Sequence, residues 1–413
     1  MTTTPRAGDR VLCTVGGHSY EGTYITDRDG MAVVKLGSGY NIGVPPRNVT
    51  FKEKTEWETP SLPLPVQNPD LPELAIISTG GTIASRVDYR TGAVTSQFSA
   101  EDILRAIPGL ASIARFRTRQ LASILSENMT VAIWRDLARA VHRELKAGVS
   151  GVIVTHGTDT MAYSAAAVSF MLDTPAPVIF VGSQRSADRP SSDNAMNALC
   201  AASAAVSPLG EVAVVMHEST SDERCAIHRG TRVRKMHTSR RDAFQSMGMP
   251  PVGYVDYPGL SVTLSPEAIR RQPEKEPALR DRMEERCGLV AFHPAMDPSV
   301  LEAYRGYRGL VLAGTGLGHV STAWVKGLGE LVRDGTVVVM TSQCLNGRVC
   351  DRVYDTGRDL LAAGVIEGED LLPEVALVKL MWVLGQEEDP GRVRALMGED
   401  LRGEIRRRSI HGH

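Results

Sequence analysis

Several large functional classes are excluded by what this chain lacks. Its formal charge is only -2 over 413 residues. No global positive field marks a general nucleic-acid binder, so any polyanion would have to meet a local patch. No apolar run approaches the roughly 18–20 residues that a membrane-spanning helix needs. The opening Met1-Thr-Thr-Thr-Pro-Arg6 has no apolar segment of the secretory type. The six cysteines, at 13, 200, 225, 287, 344 and 350, form no Cys-x-x-Cys pair. Their spacing matches no zinc site. Scattered thiols fit a reducing compartment, and the expected location is the cytoplasm. There is no Gly-x-x-x-x-Gly-Lys-Ser/Thr phosphate loop and no Gly-x-Ser-x-Gly elbow. Internal repeats and low-complexity tracts are also missing.

What remains is a globular composition, 42% hydrophobic and 23% charged, long enough for two or three domains. Residues 1–52 read as a small SH3-like β-barrel module. The runs Arg10–Val15, Tyr20–Thr26, Met31–Leu36 and Tyr40–Val44 are separated by Gly16-Gly17, Asp29-Gly30 and Gly37-Ser38-Gly39. This module clusters no titratable groups and is expected to serve docking or packing. A linker over 53–72 carries Pro60, Pro63, Pro65, Pro69 and Pro72, which favour extended backbone. A larger α/β domain is expected over 73–265, a charged connector over 266–286 and a smaller α/β domain over 287–413. The tail from Arg402 is polar and expected to fray.

The larger domain repeats one pattern: a short apolar run, an abrupt polar turn, then a helical period. It occurs at Leu74–Ile77 before Ser78-Thr-Gly-Gly-Thr-Ile-Ala84. It recurs at Gly151–Val154 before Thr155-His-Gly-Thr-Asp-Thr160, and at Val178–Val181 before Gly182-Ser-Gln-Arg185. It appears again at Val212–Met216 before His217-Glu-Ser-Thr220. Alternation of this kind predicts a mainly parallel sheet covered on both faces. Ligands of such sheets bind outside the carboxyl ends of the strands, where Thr82, Thr158 and Asp159 fall. A threonine hydroxyl is a weak nucleophile without a nearby base, and lysine is one of few candidates. Arg224, Arg229, Arg232, Arg234, Lys235, Arg240 and Arg241 form a basic stretch, most of it expected on a solvated surface. Arg115, Arg117 and Arg119 alternate and are likewise expected on one solvated strand face. Thr130 is the expected N-cap of the helix that follows it, and Arg86–Gln97 reads as a mobile loop.

These residues resemble the asparaginase/glutaminase (type I/II L-asparaginase) family. Thr79-Gly-Gly-Thr-Ile-Ala84 and Thr155-His-Gly-Thr-Asp-Thr160 are similar to its two signature motifs. Val233-Arg-Lys-Met-His-Thr-Ser-Arg-Arg-Asp-Ala-Phe244 is similar to its lysine segment, and Gly314-Thr-Gly-Leu-Gly318 to its C-terminal glycine turn. The resemblance covers about residues 73–400. With the N-terminal module and Asp193-Asn-Ala-Met-Asn197, it narrows to the D-subunit (GatD) family of archaeal-type glutamyl-tRNA(Gln) amidotransferases.

The resemblance implies a role for each matching residue. Thr82 would be the nucleophile that attacks the substrate carboxamide. Thr158, Asp159 and Lys235 would form the second catalytic set, and Thr158 remains an alternative nucleophile for one half-reaction. Ser126 would hold the α-carboxylate, Asp159 and Glu127 the α-ammonium, and Tyr89 would close over the site. A lysine acting as base must lose its proton near neutral pH, whereas the adjacent carboxylate favours the charged form. Either burial outweighs Asp159, or Lys235 stays charged and stabilises anions. Glu127 stands where the family carries an amide, and Tyr354 where the bacterial enzymes carry a glutamate from a neighbouring subunit.

The implied function is the glutaminase component of a carbon–nitrogen ligase, without metal or cofactor in this chain. Its ammonia would pass to a partner, the E-subunit (GatE), that uses ATP and Mg2+ to convert Glu-tRNA(Gln) to Gln-tRNA(Gln). A homodimer within a D2E2 heterotetramer is implied, with tRNA bound mainly by the partner. The alternatives are a free-standing cytoplasmic L-asparaginase/glutaminase and a non-catalytic scaffold that uses the basic stretch.

Overall fold

The computed structural model describes residues 4–28, 30–38, 40–54, 64–81, 86–87, 94–95, 100–186 and 191–408. The first five strands are β1 (Arg10–Val15), β2 (His18–Arg28), β3 (Met31–Leu36), β4 (Asn41–Val44) and β5 (Val49–Glu53). They form one antiparallel sheet in the order β4-β3-β2-β1-β5. Alternation sets its small core: Val11 and Cys13 of β1 point inward while Arg10 and Leu12 stay exposed.

The larger domain continues through β6 (Glu73–Gly80), the short pair β7 (Arg86–Val87) and β8 (Val94–Thr95), α1 (Ala100–Ala106), β9 (Arg115–Ile124) and α2 (Val131–Lys146). Then come β10 (Gly151–Thr155), α3 (Met161–Met171), β11 (Leu172–Asp173), β12 (Val178–Val181), α4 (Asn194–Val206) and β13 (Val212–His217). Five antiparallel-paired strands follow: β14 (Arg224–Arg229), β15 (Val233–Lys235), β16 (Phe244–Ser246), β17 (Gly253–Asp256) and β18 (Val262–Leu264). The main sheet runs β18-β17-β14-β13-β12-β10-β6-β9. Its five strands from β9 to β13 are parallel, and β14, β17 and β18 extend it antiparallel. β15 and β16 form a separate hairpin.

Both sheet faces are covered, which explains the near-continuous apolar strands. Leu74, Ile76, Ile153 and Ile179 pack with α1 and α4 on one face. Ala75, Ile77, Val152, Val154 and Phe180 pack with α2 and α3 on the other. Thr130 caps α2 as expected, its Oγ1 accepting from Ile133 N at 3.3 Å. Arg115 and Arg117 pair with Glu73, each with a little under half of its side chain exposed.

After β19 (Ala278–Leu279) the smaller domain has β20 (Cys287–Ala291), β21 (Gly309–Gly314), α5 (Thr322–Arg333) and β22 (Val337–Ser342). It ends with α6 (Asp355–Ala362), β23 (Ile366–Glu367), α7 (Pro373–Gln386) and α8 (Pro390–Gly398). The four strands run in the order β20-β21-β22-β23, all parallel. Leu380, Met381, Trp382 and Leu384 of α7 share a core cluster with Phe170 and Met171 of α3.

Two expectations are corrected. The tail does not fray over its described length. Glu404 is fully buried against Lys379 at 2.7 Å, and Arg406 pairs with Glu267. The basic stretch is also not a uniformly solvated face. Arg232 is buried on Asp370 at 2.8 Å, and Arg229 on Glu211 at 2.6 Å. A buried guanidinium needs such a partner, and Asp370 comes from 138 positions away.

Candidate functional site

The chain order of the parallel strands creates the crevice. β6 is followed by β9 on one side, and the chain then crosses to β10 on the other. The carboxyl ends of β6 and β10 therefore flank a topological switch point, where open α/β sheets bind ligands. At that point the turns are built to touch. Thr79 Oγ1 donates to the Thr155 carbonyl at 3.0 Å. Gly81 has φ +91°, and a Cβ placed on it would lie 2.6 Å from Gly157 N. Glycine is required there both for its backbone angle and for its missing side chain.

Two further turns complete the crevice wall. A Cβ on Gly157 would meet the Ser126 Cβ at 2.7 Å, and one on Gly182 would meet Thr158 Cγ2 at 2.9 Å. Thr160 Oγ1 donates to the Ser126 carbonyl at 2.7 Å, fixing the two turns together. Ser126 is buried, and Glu127 next to it is exposed. The β12 turn is organised by Asp193, which is fully buried. Its carboxylate accepts from Ser183 Oγ at 2.7 Å and from the amides of Gln184 and Arg185, each at 2.9 Å.

Lys235 reaches this crevice from the end of β15. Its Nζ lies 2.9 Å from Thr158 Oγ1 and 2.7 Å from Asp159 Oδ1, across 77 and 76 positions of chain. The lysine side chain is 14% exposed and the aspartate 69%. Water therefore screens the ion pair on one side. The hairpin is held from the smaller domain as well: Arg232 binds Asp370, and Arg234 binds Glu374 at 3.0 Å.

His156 is a turn residue that bonds its own turn. It is fully buried, and its Nδ1 is 2.7 Å from the Gly157 carbonyl. Burial lowers its pKa to about 4, against a smaller opposing effect of that hydrogen bond, so it is neutral at physiological pH. Thr82 and Tyr89 lie outside the described residues. Tyr354, at the start of α6, is 59% exposed and stands edge-on to His319 at 5.3 Å. Among the described residues no group of three His, Cys, Asp or Glu side chains is placed to hold a metal ion. None of the helices there is long and apolar enough to cross a membrane.

The site thus joins Thr158, Asp159, Lys235 and Ser126. Sequence reasoning misses the structural role of Asp193 and Asn197. The signal is available: a carboxylate and an amide four positions apart share one helical face, directly after a strand-end turn.

Comparison with known proteins agrees with this fold. Residues 73–268 match the model "Asparaginase, N-terminal" and residues 286–397 the "Glutaminase/Asparaginase C-terminal domain". Residues 6–52 match the "GatD N-terminal domain". The glutamyl-tRNA(Gln) amidotransferase D-subunit of Methanosarcina mazei is 54% identical, over 97% of this chain and 98% of that one. Its counterpart in Archaeoglobus fulgidus is 57% identical, over 92% of this chain and 90% of that one. Among solved structures, the thermostable L-asparaginase from Thermococcus kodakarensis superposes with a TM-score of 0.72 at 34% identity. It covers 81% of this chain and 99% of its own. An L-asparaginase I from Vibrio cholerae gives 0.68 at 29% identity, covering 81% of this chain and 99% of that one. The asparaginases account for the two α/β domains, the N-terminal module matches a separate model, and the chain belongs to the D-subunit (GatD) family of glutamyl-tRNA(Gln) amidotransferases, built on the asparaginase fold.

Proposed function

We propose that this chain is the glutaminase component of a tRNA-dependent amidotransferase. The observation that carries the reading is Lys235 within hydrogen-bond reach of both Thr158 and Asp159 at the β6–β10 switch point. Thr82 follows Gly81 in the chain, and Gly81 is packed against Gly157. The Thr82 hydroxyl attacks the carboxamide carbon of glutamine, giving a tetrahedral oxyanion. Backbone N–H donors in the glycine turns are suited to stabilise it, each typically worth ~3–4 kcal/mol. The C–N bond breaks, the nitrogen takes a proton and leaves as ammonia. Water then cleaves the threonyl ester to release glutamate and restore the hydroxyl. Thr158, Asp159 and Lys235 relay the protons.

Ser126 receives the substrate α-carboxylate, Asp159 and Glu127 its α-ammonium, and Tyr89 covers the bound substrate. The ammonia serves a partner, GatE, that activates Glu-tRNA(Gln) with ATP and Mg2+. Two copies of each protein form the assembly, in the cytoplasm. The N-terminal β module, which lies outside the part of the chain shared with stand-alone asparaginases, favours this reading over a free-standing enzyme.

The test is ammonia release from glutamine and from asparagine, with and without GatE and Glu-tRNA(Gln). Glutamine turnover that rises when partner and tRNA are added is expected. Full turnover by the isolated chain, unaffected by either, would instead identify a free-standing amidohydrolase.

A further inference from the structure

A second set of polar contacts closes a ring around Lys235. It starts at the turn that touches Thr158. Asn197 Nδ2 donates to the Gly182 carbonyl at 3.0 Å and to Asp193 Oδ2 at 2.9 Å. Its Oδ1 lies 2.6 Å from His217 Nδ1. His217 Nε2 lies 3.2 Å from Asp222 Oδ1. Asp222 in turn pairs with Arg241, whose second terminal nitrogen donates to the Thr220 carbonyl. Arg241 sits in the loop that joins β15 to β16, and β15 ends on Lys235. From Lys235 the ring returns to Thr158.

Within that ring the tie to the hairpin loop is ionic. Asn197 commits its amide hydrogens to Gly182 and Asp193, so its Oδ1 takes the His217 Nδ1 proton. His217 Nε2 then bonds Asp222 only when the imidazole is charged. The groups facing it are Asp193, just before α4, Asn197 of α4, Asp222, Cys225 of β14 and Arg241. Burial pulls the His217 pKa below its ordinary value, against the carboxylates of Asp222 and Asp193. Near neutral pH the Asp222–Arg241 pair is therefore the side-chain tie between the tip of the loop and the β13–β14 turn, while Ala243 and Phe244 at the loop's return are held in the larger domain's core. The Arg241 side chain is only 12% exposed although Asp222 is 61% exposed, so the guanidinium is packed in place and its two bonds fix both position and orientation.

We propose that Asp222 and Arg241 form a latch that positions Lys235 against Thr158. Both are positioning residues, since their bonds go to His217, to the Thr220 carbonyl and to each other rather than to Thr158, Asp159 or Ser126. The inference rests on the glutaminase reading above. The Arg232 and Arg234 bonds fix the start of the hairpin on the smaller domain, and the latch ties its connecting loop to the larger one. A catalytic group displaced by about 1 Å loses on the order of a hundredfold in rate, so a loosened loop directly after Lys235 is costly for catalysis while Val233, Ala243 and Phe244 keep the hairpin's core contacts.

The experiment measures ammonia release from glutamine by the full-length protein, with GatE present, for wild type and five variants. These are Arg241→Ala, Asp222→Ala, the double variant, Arg241→Lys and Arg240→Ala. The last removes a neighbouring loop arginine that pairs only locally with Asp242. Either single alanine is expected to lower kcat roughly tenfold to a hundredfold, with KM for glutamine held within about twofold and an unchanged melting temperature. The double variant loses no more than the worse single, because the pair acts as one unit. Arg241→Lys recovers part of the rate, and Arg240→Ala behaves as wild type. Wild-type kcat in both single variants, losses that add in the double, or a fall in kcat that tracks a fall in melting temperature each overturns the latch. A wild-type protein without glutamine turnover would instead overturn the parent reading.

Discussion

Two lysines in this chain each meet a carboxylate at 2.7 Å, and they serve opposite ends. Lys379 and Glu404 are both fully buried. Lys235 and Asp159 form the same pair at the mouth of a crevice, with the aspartate 69% exposed. Lys379 Nζ also contacts the carbonyls of Met397 and Glu399, so its three donors are all spent within the fold. Lys235 divides its contacts between a carboxylate and a threonine hydroxyl. Distance does not separate structure from chemistry here. The number of uncommitted groups around the ammonium, and water's access to them, does.

Removing each lysine should break the molecule in a different way. Lys235→Ala is expected to lower glutamine turnover by about 10²–10⁴-fold, the usual range for a positioned acid–base group, while leaving the melting temperature nearly unchanged. Steady-state ammonia release with a parallel thermal melt reads both. Lys379→Ala should instead destabilise the fold by about 3–5 kcal/mol, because it strands a buried carboxylate. Denaturant unfolding measures that loss, and Lys379→Met with Glu404→Leu should recover part of it. A Lys379→Ala protein as stable as wild type would contradict the comparison.

The buried pair also carries a pH signature. Burial alone would raise the Glu404 pKa, but Lys379 and the backbone hydrogen bonds overcome it and the net direction is below the ordinary 4.5. A carboxylate depressed in the folded state contributes stability above its unfolded pKa and loses it as pH falls through the folded one. The Glu404 contribution should therefore be intact at neutral pH and disappear as pH falls through and below the ordinary carboxylate range. Comparing acid unfolding of wild type and Glu404→Gln isolates it.

Smaller effects sharpen the same contrast. Glu127 is exposed beside buried Ser126, and a charge-assisted contact to a substrate ammonium is worth about 1.5–3 kcal/mol. Glu127→Gln should then raise KM for glutamine roughly tenfold to a hundredfold and change kcat far less. Equal falls in kcat and kcat/KM would assign Glu127 to the chemical step instead. The smallest expected change is Thr130→Ala. It removes the N-cap of α2 and should cost about 1 kcal/mol in chemical denaturation without altering turnover.

The parts legible in the sequence are those written in local pattern. The strand ends at Thr79–Gly81 and Thr155–Thr160 stand out because apolar runs give way abruptly to small polar residues. Thr130 is readable as a cap for the same local reason. The contact between Lys235 and Thr158 is not readable, since 77 positions separate them and only tertiary packing brings them together. Arg232 reads as part of a solvated face because charge clusters usually lie there, and its buried partner Asp370 belongs to another domain. The tail looks free for a similar reason: Glu404 is polar, yet Lys379 waits for it inside the fold.

Threonine-based amide hydrolysis at the β6–β10 switch point is the central claim. The most direct test is to incubate the protein with an electrophilic ketone analogue of glutamine and map the adduct by peptide mass spectrometry. A single adduct on Thr82, suppressed by excess glutamine and absent from the Lys235→Ala variant, is the predicted result. An adduct that glutamine protects but that maps to neither Thr82 nor Thr158 would contradict it.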